Sequence, residues 1–103
     1  MSTLFQHLGE LKTRCDLCVS NLRETAEASR GALRLPPEER VRTADKIRIS
    51  ADCLRRSLDD LLSHVDSCDK CPKSKMKRVE GRIRRRLRNA DKAESILRRY
   101  TSQ

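Results

Sequence analysis

Tryptophan is absent from the 103 residues, and phenylalanine and tyrosine occur once each, as Phe5 and Tyr100. Large aromatic rings supply much of the area of thick globular cores, so a deep core of that kind is excluded. Burial must come from Leu, Ile, Val, Ala, Met and Cys in narrow stripes, as in helical bundles and coiled coils. Three glycines and three prolines are too few for a turn-rich β fold. No apolar run approaches the roughly 20 residues that span a bilayer, so no transmembrane segment is expected. The opening MSTLFQHLGE lacks the basic patch and apolar block of a secretory signal. There is also no glycine-rich phosphate loop, no nucleophile elbow and no carboxylate pair in a pocket-forming context. An enzyme is not expected, and no catalytic residue is assigned.

What the chain does have is helical periodicity. Leu4, Leu8, Leu11, Cys15, Cys18 and Leu22 alternate in steps of four and three, with Ser2 or Thr3 available as a cap. The stripe fades at Thr25 and Ser29, and Arg30-Gly31 offers a stop. Pro36 and Pro37 open a second helix, where a missing N–H is harmless and Glu38 and Glu39 suit the positive end of the dipole. In it Ala44, Ile47, Ala51, Leu54, Leu58, Leu61, Val65 and Cys68 form a coiled-coil-like seam without a miss. Pro72 introduces a third helix with a looser stripe of Met76, Val79, Ile83, Leu87, Ala90, Ala93, Leu97 and Tyr100. The expected fold is all-α: one domain over 1–103, an elongated three-helix bundle with helices near 3–31, 36–70 and 73–101. It amounts to a coiled-coil-like hairpin plus a basic C-terminal helix. The length of the second seam makes a homodimer the expected state.

Charge is unevenly spread. Residues 1–72 hold 12 Lys/Arg and 12 Asp/Glu, whereas residues 73–103 hold 12 Lys/Arg against Glu80, Asp91 and Glu94, so the whole +9 lies in the last 31 residues. Lys73, Lys75, Lys77, Arg78, Arg82, Arg84, Arg85, Arg86 and Arg88 crowd the segment 73–88. Cations there oppose the helix dipole by about 0.3–1 kcal/mol each, and Arg78/Arg82, Arg82/Arg86 and Arg84/Arg88 repel at i,i+4. An anionic partner relieves such repulsion, and Arg grips phosphate bidentately while counterions are released. Nucleic acid, RNA or DNA, is therefore the expected ligand, read by backbone and shape because aromatic platforms for stacking bases are lacking. The plainer account is a solvated face. KSKMKR and RIRRRLR can equally serve as a nuclear-import address, and a basic amphipathic helix can lie on an anionic membrane or in a protein groove.

Five cysteines form the second constellation. In a chain that reads as cytoplasmic or nuclear they point to thiols or a metal, not a disulfide framework. Cys15-x2-Cys18 and Cys68-x2-Cys71 are two CxxC pairs, and His64 precedes the second. Zinc takes four tetrahedral thiolate or imidazole ligands, and closely spaced pairs lower the entropy of assembling them. On a helix His64 and Cys68 lie one turn apart, with Cys71 at the turn made by Pro72. The expected metal ligands are drawn from Cys15, Cys18, His64, Cys68 and Cys71; a lesser set is His7, His64, Cys68 and Cys71. HxxxCxxC at the end of one helix and the start of another resembles the motif of zinc-binding anti-sigma domains, over residues 64–71 plus an upstream Cys. The resemblance implies that Cys15 or Cys18 supplies the remaining ligand from an earlier helix.

The competing account makes Cys15, Cys18 and Cys68 small buried hydrophobes of their seams, with Cys53 a core-edge thiol. A simple hairpin turning near residue 34 sets Cys15 opposite Cys53, with the CxxC pairs roughly 20 Å apart. A four-cysteine site then requires a bent helix, a second chain, or an extended segment near 31–43 that shifts the register. The expected function is a small basic nucleic-acid-binding protein, of a regulatory kind, with a structural zinc site. The alternative is an interaction adapter whose seam binds a protein partner, or an anti-sigma-like regulator whose basic run is an address.

Overall fold

The computed structural model describes residues 4–69 and 71–101. Three helices run α1 (Leu4–Ser29), α2 (Pro37–Ser67) and α3 (Lys73–Thr101), with a short 3-10 turn at Ala32–Arg34. They pack side by side into a bundle measuring 58 × 18 × 17 Å, and among the described residues no strand occurs.

The connections follow from local chemistry. Gly31 takes the left-handed backbone at φ 66° that ends α1, a conformation strained for any residue with a Cβ. Pro36 precedes α2 in extended backbone and Pro37 occupies its first turn. The Glu39 N–H donates to the Pro36 carbonyl at 3.0 Å. At the other end Cys68 is extended (φ −112°, ψ 114°), so α2 stops at Ser67, short of the residue 70 expected from the seam. Pro72 disfavours helical backbone at Cys71, and the Met76 N–H donates back to the Pro72 carbonyl at 3.1 Å to start α3. The Ser2 or Thr3 cap lies outside the described residues.

The seam of α2 is the core. Ala44, Ile47, Ala51, Leu54, Leu58, Leu61, Val65 and Cys68 are all buried, with α1 on one side and α3 on the other. Met76, Ile83, Leu87, Ala90 and Leu97 face it from α3, and Leu11 and Cys18 from α1. The α1 stripe does not stop at Thr25: that side chain is fully buried. Its hydroxyl donates to the Asn21 carbonyl at 2.8 Å, and Ser29 donates to Thr25 in the same way. Such back-bonding lets a hydroxyl occupy a core position without an orphaned group.

Register is the main departure from the simple hairpin. Arg14 pairs with Asp60 at 3.1 Å and His64 lies 3.9 Å from Glu10, so both pairs centre on residue 37 and not on 34. Asn21, not Cys15, stands opposite Cys53 and donates to its carbonyl at 3.4 Å. The 3-10 turn and the extended Leu35–Pro36 link supply the shift. Between α2 and α3, Arg55 pairs with Asp91, and Arg98 with Asp45 at 3.0 Å. These are partly exposed pairs worth about 0–1 kcal/mol each; they pin register more than they add stability.

Because one chain covers the seam, truncations there are costly. Leu54→Ala is expected to lower the unfolding free energy by about 2–5 kcal/mol, whereas Ile49→Ala, at a side chain 65% exposed, should change it by about 0.5 kcal/mol or less. Urea titration followed by circular dichroism measures both.

Candidate functional site

The break between α2 and α3 gathers three of the expected ligands. With α2 ended at Ser67, Cys68 and Cys71 both turn inward and are buried. One ligand atom from each of His64, Cys68 and Cys71 lies within 4.8 Å of the others. A tetrahedral zinc with Zn–S bonds of about 2.3 Å spaces its sulfurs ~3.8 Å apart, so closing on an ion requires an adjustment of about 1 Å at most. The group can hold a metal ion.

His64 is poised for this. Its side chain is 9% exposed, and Nε2 is buried with no hydrogen-bond partner among the described residues. A buried polar atom left in that state costs about 1–3 kcal/mol, which coordination would remove. Nδ1 faces the Glu10 carboxylate. A ligating imidazole usually points its other nitrogen at a carboxylate, which fixes the tautomer and raises its basicity. Sequence reasoning missed Glu10: it stands 54 residues before His64, and no spacing rule connects them.

Burial favours the protonated form of Cys15, Cys18 and Cys71 in the metal-free protein. Burial pushes Cys71 up to about 11, helped by its hydrogen bond with Cys68 and by the charges of Cys68 and Cys15, while Lys73 opposes. Cys15 is raised by burial first, then by Cys18 and Asp16, with Lys75 opposing. Cys15 therefore stands within electrostatic reach of both Cys71 and the first turn of α3. Cys18 turns the other way. It is raised by burial, against the pull of its hydrogen-bonding contact with Ser57, which sits in the α1–α2 seam beside Asn21. The two members of the first CxxC thus serve different neighbours, and the structure does not bring Cys18 to the group. Cys53 is half-buried beside Leu17 and Asn21 in a cleft between α1 and α2. The side chain of His7, the lesser option, lies outside the described residues.

The nine basic residues at 73–88 project from α3, all exposed except the half-buried Arg86. Among the described residues, Glu80 is the one carboxylate paired with any of them, reaching Arg84 at 3.4 Å. The other half of α3 differs: Arg98 bonds Glu94 and Asp45, and Asp91 takes Arg55. Ion pairs to α2 and within α3 therefore match charges in the second half of the helix, whereas in the first half, among the described residues, Glu80 alone does so. No helix is long and apolar enough to cross a membrane.

The raised Cys71 sets a pH dependence. A thiol whose folded pKa lies above its unfolded value stabilises the fold while protonated, and the advantage fades as pH climbs through the folded value. The metal-free protein should therefore lose stability between about pH 9 and 11, measured by denaturant titration across that range. Substituting Cys71→Ser should flatten the loss. One equivalent of a thiophilic divalent ion should shield Cys68 and Cys71, but not Cys53, from iodoacetamide, as read by peptide mass spectrometry.

Comparison with family models, with curated proteins and with solved structures finds no match to this chain.

Proposed function

We propose that this protein binds nucleic acid through the first half of α3, and that a zinc ion fixes the turn from which that helix begins. The observation that carries the reading is the row of eight exposed or half-exposed cations at 73–88 that no carboxylate pairs with among the described residues, in a chain whose residues 1–72 hold equal numbers of acidic and basic side chains. Each cation set against a phosphate releases a counterion, and phosphate relieves the repulsion that the arginines impose on one another. With one Phe, one Tyr and no Trp in the chain, there are too few aromatics to build a platform for unstacked bases. The reading is therefore of a duplex held by its backbone and shape, in a cytoplasmic or nuclear setting reducing enough to keep the thiols. It is a binding role, of a regulatory kind, not a catalytic one.

For the metal, zinc suits two thiolates and an imidazole, and Cys15, which lies outside the group of three but whose charge is felt at Cys71, is our choice of fourth ligand. A closed four-ligand site is structural. It would tie α1 to the α2–α3 turn. The adapter reading is the runner-up: the α2 seam that an adapter would offer is already covered by α1 and α3. The same coverage removes the burial demand that favoured a homodimer.

Two measurements test this. Fluorescence anisotropy with short RNA and DNA duplexes should show a log K that falls linearly with log salt. Reversing Arg84, Arg85 and Arg86 to Glu should weaken binding by about 100-fold or more; unchanged binding would return the basic run to an address. For the metal, elemental analysis should find one zinc per chain, and fewer than one per two chains sinks the site. With cobalt in place of zinc, Cys15→Ser should remove about a third of the thiolate charge-transfer absorbance, one of three sulfurs, and Cys18→Ser none.

A further inference from the structure

The basic face of α3 is not uniform. Arg82, Arg85, Arg86 and Asn89 line a cavity of about 250 Å³ together with Leu22 of α1. Their spacing, i, i+3, i+4 and i+7, places all four on one stripe of the helix, beside the inward-facing Ile83, Leu87 and Ala90. The wall across from that stripe is apolar. The acidic residues of the neighbouring stretch of α1 look elsewhere: Glu24 and Glu27 border a separate cleft with Lys46 on the α2 side. Glu80, the nearest acid on α3 itself, is engaged by Arg84, outside the stripe. Three guanidiniums and a carboxamide thus share a notch into which no carboxylate is directed.

We infer that this notch between α1 and α3 is a seat for one backbone phosphate of a bound nucleic-acid duplex. The inference rests on the proposed nucleic-acid reading and adds to it a place where contact is concentrated. A phosphodiester presents two charged oxygens with several lone pairs. Guanidinium forks at Arg82, Arg85 and Arg86 can meet them bidentately, and the Asn89 amide can donate a further hydrogen bond. Leu22 closes the notch on the α1 side, so a phosphate seated there meets the three guanidiniums together. Arg84 and Arg88 lie off the stripe and act only through their general field. The seat gives the duplex a fixed register on a helix that otherwise offers diffuse attraction, because phosphate contacts position a protein on its nucleic acid.

The test compares substitutions that remove the same charge from different places, in the full chain, with labelled RNA and DNA duplexes at fixed salt. Arg82→Gln, Arg85→Gln and Arg86→Gln should each weaken binding by about ten-fold or more, and Asn89→Ala by about three-fold. Arg84→Gln and Arg88→Gln should weaken it by no more than about three-fold. Circular dichroism melts confirm that each variant folds. Independently, the Nε–H resonances of Arg82, Arg85 and Arg86 should shift together on duplex titration and saturate at one concentration, ahead of Arg88. Equal losses at all five arginines would overturn the seat while leaving the basic-face reading intact. Absence of wild-type duplex binding would remove that reading and the seat with it. Binding to phosphatidylserine vesicles alone, sensitive to the three notch arginines, would reassign the anion to a membrane and overturn the nucleic-acid seat.

Discussion

The seam of α2 is the constraint on which the rest depends. Eight small or medium apolar residues lie along one helix, and without large rings they cannot fill a wide interior. They can only be covered, and α1 and α3 do so from two sides. The consequence is a rod 58 Å long and about 18 Å across, in which almost every polar side chain is near water and broad pockets have nowhere to form. Function in such a molecule must come from faces and ends. The two constellations that sequence reasoning singled out sit there: the cysteines at one end, the cations along one face.

Along the rod, electrostatics divides α3 into halves with different partners. Where α3 runs beside the middle and start of α2, Asp45, Arg48 and Arg55 meet Arg98, Glu94 and Asp91 across the groove. Each pair is partly exposed and worth little alone, yet together they leave that half balanced. In the half beginning at Lys73, among the described residues, Glu80 alone pairs with a cation, and the first turn of α3 carries no acid to offset its dipole. A helix so arranged is less stable than it could be, and only the packing of Met76, Ile83 and Leu87 against α2 holds it in place. Tertiary burial thus sustains a charge pattern that an isolated helix would resist.

How much of this was legible in the sequence depends on the kind of information involved. The α2 seam could be read outright, because Ala44 through Cys68 keep one period in a polar background. So could the ends of α1 and α2, where Gly31 and the Pro36-Pro37 pair have single structural meanings. The hairpin register could not be read. It turns on how a few residues between helices fold, and a 3-10 turn at Ala32–Arg34 moved the pivot by three residues and replaced Cys15 with Asn21 opposite Cys53. Thr25 misled in a different way: it looks like the end of a stripe but is buried by bonding its hydroxyl back to the helix. The second CxxC was legible with His64 because the three lie within eight residues. The first was not, since i,i+3 neighbours on a helix diverge by about 60° in direction, enough here to send Cys18 to Ser57 while Cys15 is felt at Cys71 through its charge alone.

The cysteine group and the basic helix meet at residues 68–75. Cys71 is followed at once by Pro72 and Lys73, so the turn that gathers the thiols is also the launching point of the basic helix. Lys73 and Lys75 lean on this junction, each opposing the upward shift of a nearby thiol. An ammonium beside a thiol favours the thiolate, and a thiolate favours a metal. A metal held by Cys71 would therefore sit where the basic helix starts, separated from Lys73 by Pro72 alone.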